Sequence, residues 1–532
     1  MQQYILKLIK YIAFAFIILS ISKLNAQSNV EVSGDRLYND DVKKLTYIIG
    51  NVVVKQNGVI IMCDSAIRKI ESATIEGFNH VYIYQPDTFT LVGGEYLRYD
   101  ENTKVALVTG REVILNDASM TLVTKQLQYN MAQQIGYYTN GANILSEQNT
   151  LTSKKGYYHR RGNTFYFKDD VVLTNPQYTM KSDTLEYFSS IKTAYFYGPT
   201  KIVSGENTIV CNYGWYNTKT EKAQFSKSAT IFSKENTITA DSLLYDKKLG
   251  IGRGYGNIKL TDSTENIEVY GQKGLYKEKT KESLITDKPM AIQIGEGDTM
   301  LVLADTFYFI NDSLKRQLHA YPNTAILQKE FQGKCDSLIY KFNDSTISLF
   351  GKPILWNDKN QITGDTIHVE LKNNKINRLR VIDNAFLASE IKTKTYNQIA
   401  GRSMLNSFSE NKLKSVLVEG NAESIYYLRD NETDSAQYTG VNKVACAKML
   451  IGFDSSKVIG IKFYGNPEGK MYPIKDFVET EKFLSGLDWQ IENKPKVIEF
   501  LERQKRKEIP RILKPTKVKV LTKPKAKKPK KQ

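Results

Sequence analysis

The sequence predicts an all-β protein built as an elongated, solenoid-like stack of strand repeats, and three observations carry that expectation. A pattern of apolar, any, small, polar, any, apolar, any, aromatic residues returns about every thirty residues along most of the 532-residue chain. Its apolar, small and aromatic members alternate with period two, which places them on one face of a strand. Between residues 28 and 465 no run spaces apolar residues three and four apart, as a helix requires.

The first 26 residues read as an export signal: Lys7 and Lys10 precede an apolar run from Tyr11 to Ile21, and Ala26 supplies a small residue for cleavage. The run is shorter than the ~20 residues a spanning helix needs. The mature chain is expected to begin at Gln27 and to be exported. The formal net charge is +17, but residues 501–532 hold 14 Lys/Arg against two Glu, and residues 1–26 hold three Lys. Removing +12 and +3 leaves +2 for residues 27–500, so the folded body is almost neutral and no nucleic-acid partner is expected.

With the small residue as marker, the repeats fall at Gly34, Cys63, Gly94, Thr124, Ser153, Ser182, Cys211, Ala240, Gly271, Ala304, Cys335, Gly364, Gly401 and Cys446. The first eleven spacings lie between 29 and 33; the last two widen to 37 and 45. Two residues before the marker stand Ile61, Val92, Leu122, Met180, Ile209, Ile238, Val302 and Ile362 among others, with Gly333 the exception; five after it come Tyr99, Tyr129, Tyr158, Tyr187, Tyr216, Tyr245, Tyr276 and Tyr340. Polar turns and Gly-led runs such as Gly256-Asn257-Ile258 complete each unit, which therefore supplies two or three short strands. A unit of this size completes its core only by stacking on its neighbours. The boundaries expected are repeats over 27–400, looser repeats over 401–465, a C-terminal cap over 466–500 and a disordered Lys/Pro-rich tail over 501–532.

All four cysteines occupy the marker position, several repeats apart, which makes them interior fillers rather than disulfide partners. The four histidines make no ligand spacing with them, so no metal site and no cofactor are expected. The acids after the marker, among them Asp35, Asp64, Asp241, Asp305 and Asp365, admit calcium or polysaccharide chemistry, but recurrence on so many rungs favours a bend that the carboxylate secures. The tyrosine column has two readings, a ladder packing rung on rung or a rim meeting a lipid's chains and head group. Phosphate-binding glycine loops, nucleophile elbows and paired histidines are missing from the sequence, and no enzyme activity is expected.

Behind the export signal, the element Gly50-Asn51-Val52-Val53-Val54 followed by Ile61-Met62-Cys63-Asp64, repeated over roughly residues 28 to 400, resembles the OstA/LptA family of lipopolysaccharide-transport proteins. The resemblance implies an open β-jellyroll whose apolar interior shields acyl chains, with jellyrolls joined end to end across the periplasm. It implies lipopolysaccharide and its lipid A as ligand, and as partners other transport components met by strand addition, further copies of this chain, and an association with the outer membrane. The chain departs from the family pattern in carrying about twice the repeats of a minimal carrier, looser repeats after residue 364 and a basic tail. It shows no large C-terminal translocon region, so the resemblance points to a bridging component.

On that reading the lipid-lining face holds Ile61, Cys63, Val92, Leu122, Met180, Ile209, Ile238, Ala240, Val302, Ala304 and Ile362, where small residues leave room beside large ones for an acyl chain. Each buried methylene would contribute about 0.8 kcal/mol. A fully packed core without a groove fits the same periodicity. The basic tail reads either as a solvated segment or as a contact to anionic lipid. An extracellular scaffold or adhesion array, and a β-solenoid enzyme acting on polysaccharide, are the rival functions.

Overall fold

The computed structural model describes residues 30–496 and Phe500, except 87, 119, 235, 295–298, 313, 330, 374, 411, 430–436 and 455–456. The expected export signal and the basic tail lie outside the described residues. Within them the elements are 38 β-strands and two short 3-10 turns. The chain divides into two compact units, meeting at Lys219 and Thr220, and each is described by itself.

In the first unit the strands follow one another as antiparallel hairpins, and most thirty-residue repeats supply two strands of ten to twelve residues; between Ile135 and His159 these break into four short strands. The strand Leu45–Gln56 pairs with Val59–Lys69, which pairs with Thr74–Gln85. The long outgoing strands are kinked near the middle. Gly50 and Asn51, at φ 78° and 44°, insert two left-handed residues, and the register slips between Ile49 and Val52. Gly, Asn and Asp tolerate that conformation best, which is why the Gly-Asn element recurs. Asn79-His80, Asp169-Asp170, Gly256-Asn257, Asp383-Asn384 and Gly420-Asn421 repeat the paired left-handed kink. Such a bulge bends the strand and its partner together. Each hairpin therefore contributes to two layers: sheet I, holding the halves 45–49 and 65–69, and sheet II, holding 52–56 and 59–63. The layers meet along the line of kinks and face each other, closing an apolar interior between them. This is the open β-jellyroll.

The second unit repeats the plan. From residue 282 onward the kink becomes a full break, so that Glu282–Thr286 belongs to sheet I and Met290–Ile294 to sheet II, with left-handed Asp287 and Lys288 between them. Farther along, the strands lengthen again to Lys375–Lys392, Thr395–Ser409, Lys412–Arg429 and Tyr438–Asp454. A continuous core of inward side chains from both layers runs from Ile267 to Ile451.

Sheet II of this unit is apolar on its outer face as well. Residues 474–496 cross that face as a strap. Phe477 lies against Tyr427 and Tyr472, Trp489 against Tyr396, and Leu484 within the cluster of Phe386, Ile425 and Val441. Two buried glutamines fasten it. Gln398 donates to the Lys482 carbonyl at 2.7 Å and accepts from the Leu484 amide at 2.8 Å, while Gln361 donates to Asp488 O at 2.6 Å and accepts from Gln490 N at 2.7 Å. Phe500 is buried among Met290, Ile292, Leu301 and Ala325 on the same outer face.

Candidate functional site

The inward side chains of sheet II form a row in which each apolar residue is the register partner of the next. In the first unit it runs Val54, Ile61, Ile83, Leu91, Leu115, Leu122, Ile144, Leu151, Leu173, Met180, Ile202, Ile209. In the second it runs Ile231, Ile238, Leu260, Val269, Ala291, Val302, Ile326, Gly333, Leu355, Ile362, Leu387, Ile399. Ile61, Leu122, Met180, Val302 and Ile362 are buried; Ile209 and Ile238 are partly exposed. Gly333 interrupts the row because a Cβ there would stand 2.7 Å from the Leu355 side chain, which already fills the space.

Val92 is a correction. It pairs with Ile114 on the outer face and is partly exposed, whereas Leu91 holds the inward place. Gly93, at φ 84°, adds one residue to the strand, and a one-residue slip moves a side chain to the opposite face.

The small markers lie at the kink line, and the space beside the glycines is filled. A Cβ on Gly94 would meet Val108 Cγ1 at 2.5 Å, and one on Gly271, Gly364 or Gly401 would collide with Ile285, Val381 or Val418, each two residues before the kink of the next strand. The expectation that small residues leave room for an acyl chain is corrected at these positions: they are small because a neighbour's side chain folds over them. Cys63, Ala240 and Ala304 occupy the same buried position. Five markers that carry a donor bond the carbonyl two residues on: Cys63 Sγ to Ser65 O (3.3 Å), Thr124 to Gln126 O (3.3 Å), Ser153 to Lys155 O (3.0 Å), Ser182 to Thr184 O (3.0 Å), Cys446 Sγ to Lys448 O (3.2 Å). Cysteine thus substitutes for serine or threonine. Burial pushes the thiols up, Cys211 to about 11 and Cys335 to about 12, so both stay protonated and unreactive.

On the outer side of the kink, the acids reach the left-handed residue of the next strand. Asn51 Nδ2 donates to Asp35 at 3.0 Å, Asn257 to Asp241 at 2.9 Å, Asn323 to Asp305 at 2.6 Å and Asn384 to Asp365 at 3.0 Å; His80 Nδ1 lies 2.8 Å from Asp64. These bonds secure the bend, as the recurrence of the acids suggested, and do so from one strand to the next.

Opposite the kink line the two layers end in free lips, sheet I at turns such as 101–104 and sheet II at hairpin tips such as 57–58. The tyrosine column stands at the lip of sheet I. Tyr99 donates to Gln56 Oε1 at 2.5 Å, the Tyr129 ring lies 4.3 Å from Phe89, Tyr158 donates to Asp117, and Tyr216 meets Tyr178 edge to face at 6.1 Å. In the second unit Gln293 donates to the Tyr340 hydroxyl at 3.4 Å, and Arg316 on the lip of sheet I pairs with Asp262 and Glu265 on that of sheet II. Burial raises the phenols of Tyr99, Tyr129, Tyr276 and Tyr340, and that of Tyr178 to about 12, so these hydroxyls keep their protons at any physiological pH. Sequence reasoning found one side of these contacts and missed Gln56, Phe89, Asp117, Tyr178 and Gln293. The available signal was a recurring separation, 43 residues for Gln56 to Tyr99, 41 for Asp117 to Tyr158 and 47 for Gln293 to Tyr340.

Between the layers of the second unit, Ile267, Ala291, Val302, Leu318, Leu338 and Ile347 surround a void of about 10 Å³. That is room for no more than a single water.

Two family models match the chain. One, described as OstA-like protein, matches residues 23–183 and 180–241; the other, described as LptA/(LptD N-terminal domain) LPS transport protein, matches residues 311–375. None of the curated proteins compared matches. Among solved structures, LptH, described as the LptA-homologous periplasmic component of the lipopolysaccharide transport device of Pseudomonas aeruginosa, is 12% identical. The match covers 30% of this chain and 77% of that one, with a TM-score of 0.09. From the matched repeats on both units, the chain belongs to the OstA/LptA-like family of lipopolysaccharide-transport proteins.

Proposed function

We propose that the chain is a periplasmic, non-enzymatic component of lipopolysaccharide transport that shields acyl chains along the inward face of sheet II and helps to bridge the two membranes. The observation that supports it most is the strand-to-strand continuity of the inward row, from Val54 to Ile209 and from Ile231 to Ile399, with Ile209 and Ile238 left partly exposed. A continuous apolar track lets a hydrocarbon chain move without specific bonds, since each methylene gains about 0.8 kcal/mol wherever it lies. Ile61, Cys63, Leu122, Met180, Ala240, Val302, Ala304 and Ile362 would form the wall of the track. The residues would come to the periplasm by the export signal in 1–26, and no helix among the described residues is long and apolar enough to cross a membrane. Partners would be lipopolysaccharide and neighbouring transport components or further copies paired at the terminal strands, with the basic tail touching anionic lipid.

One observation favours a scaffold instead: the tight packing around the 10 Å³ void, which offers no ready groove in that part of the second unit. Purification of the full chain from its native envelope, followed by mass spectrometry of bound lipid, decides between them. Co-purified lipopolysaccharide supports transport; a lipid-free protein of native stability supports the scaffold.

A further inference from the structure

Three buried tyrosines of the first unit each bond a side chain through the hydroxyl: Tyr99 with Gln56 Oε1 at 2.5 Å, Tyr138 with Ser153 Oγ at 2.6 Å, and Tyr158 with Asp117. Tyr129, two strands on from Tyr99 and 1% exposed, has a hydroxyl with no hydrogen-bond partner. Its ring packs on Phe89 of the opposite lip at 4.3 Å. The register partner of Phe89 is Gln85, and the side-chain oxygen of Gln85 is likewise buried without a partner. Among the described residues only one further buried side-chain oxygen or nitrogen shares that condition, Asn406 Oδ1 in the second unit. A buried polar group left unsatisfied costs stability, so two of them about one ring point to a group that completes them. One step deeper lie Ile83 and Leu91, buried members of the inward row, two residues from Gln85 and from Phe89. The mouth is therefore apolar at depth and polar at its rim, with an acceptor on the lip of sheet II and a phenol on the lip of sheet I. Burial raises that phenol, so it keeps its proton and can donate.

We propose that Gln85 and Tyr129 form a polar subsite for a hydroxylated acyl chain: the chain's hydroxyl donates to Gln85 Oε1, its acyl carbonyl accepts from the Tyr129 hydroxyl, and its methylenes lie along Ile83 and Leu91. This rests on the lipid-carrying reading above and adds selectivity among chains. The ligand class follows from the two groups. The carbonyl oxygen of Gln85 can only accept, so its partner must carry a donor, whereas Tyr129 can donate to any oxygen. A plain ester-linked chain offers a carbonyl and no donor; it satisfies Tyr129 and leaves Gln85 unpaired. A hydroxyl close to the acyl carbonyl satisfies both. Moving the Phe89 ring off Tyr129 makes room without breaking a hydrogen bond, since the Tyr129 hydroxyl makes none.

The test uses the full mature chain and two probes, methyl 3-hydroxytetradecanoate and methyl tetradecanoate, each displacing a pyrene-tailed fatty acid followed by fluorescence. The unaltered protein should prefer the hydroxylated ester about tenfold, the ratio expected of one added hydrogen bond to a buried acceptor. Gln85→Leu should narrow that preference to less than about twofold. Tyr129→Phe should weaken both esters alike, by about threefold to tenfold, and should not lower the melting temperature, because its hydroxyl leaves no partner behind. Circular dichroism confirms the fold of each variant, and Gln85→Met carries the same prediction should Gln85→Leu fail to fold. Equal affinity of the unaltered protein for the two esters would give the two groups a bound water as partner and overturn the subsite, leaving lipid carriage intact. A preference that survives loss of the Gln85 amide, or unchanged binding by Tyr129→Phe, overturns it in the same way. Failure of the unaltered protein to take up the pyrene probe overturns lipid carriage and the subsite with it.

Discussion

The Tyr99 hydroxyl donates to the side-chain carbonyl of Gln56 at 2.5 Å, joining two strands whose residues are 43 apart and belong to opposite layers of the jellyroll. Both groups are buried, and Gln56 donates onward to the Glu101 carbonyl. Tyr99→Phe keeps the ring and deletes this bond to a buried side-chain carbonyl. The expected loss is about 1–3 kcal/mol in urea unfolding. A loss as small as that of an exposed tyrosine would mean that the lip bond contributes little.

At the kink line, Gly271 and Cys211 hold equivalent places with different tolerances. Gly271→Val drives a side chain into Ile285 and should cost about 1–3 kcal/mol, the usual penalty for overpacking. Cys211→Ala matches the natural residue at 240 and 304 and should cost about 1 kcal/mol. Thermal melts of the two variants side by side rank them; the reverse order contradicts the packing described.

The strap over the second unit hangs on Gln398, which is fully buried and bonds both Lys482 O and Leu484 N. Gln398→Leu removes both bonds and should weaken the strap locally by about 2–4 kcal/mol. Hydrogen exchange reads this directly: amides of residues 477–490 should exchange faster while those of Val416 and Val418 in the inner core keep their protection. Uniform loss of protection would mean that strap and core open together.

Two histidines set a pH slope. His319 and His368, partly buried on the outer face of sheet I, are held below the usual 6.5, first by desolvation and then by Lys315 for one and by Arg380 and Lys341 for the other. The unfolded chain therefore takes up these protons first as pH falls through about 6.5, and stability declines from neutral pH toward the lower folded values. Melting temperatures at pH 7.5 and pH 5 should show that decline, and His319→Gln with His368→Gln should flatten it. An unchanged slope in the double variant would assign it to other groups.

The period, the inward row and the buried markers were legible because a strand's alternation records its faces directly: Ile61, Leu122, Met180, Val302 and Ile362 fall inward as the pattern required. Val92 was not, because Gly93 adds a residue whose only sign is a second glycine, and one residue is enough to reverse a face. The use of small residues was misread for a related reason. Alternation shows that Gly364 points inward, but the Val381 side chain that covers it comes from the next strand, seventeen residues on. The lip contacts and the strap depend on pairs from 38 to more than 100 residues apart, such as Tyr178 with Tyr216 and Gln361 with Asp488, and no local pattern encodes such a pairing.

Ile209 and Val210 are adjacent on one strand, the first inward and partly exposed, the second outward and 38% exposed. A photoreactive amino acid at each position, activated in intact envelopes, tests the central claim by comparing two sites that differ only in the face they occupy. Lipid carriage by the inward row predicts lipopolysaccharide adducts from 209 and few or none from 210. Equal labelling from both positions, or labelling from 210 alone, would contradict it.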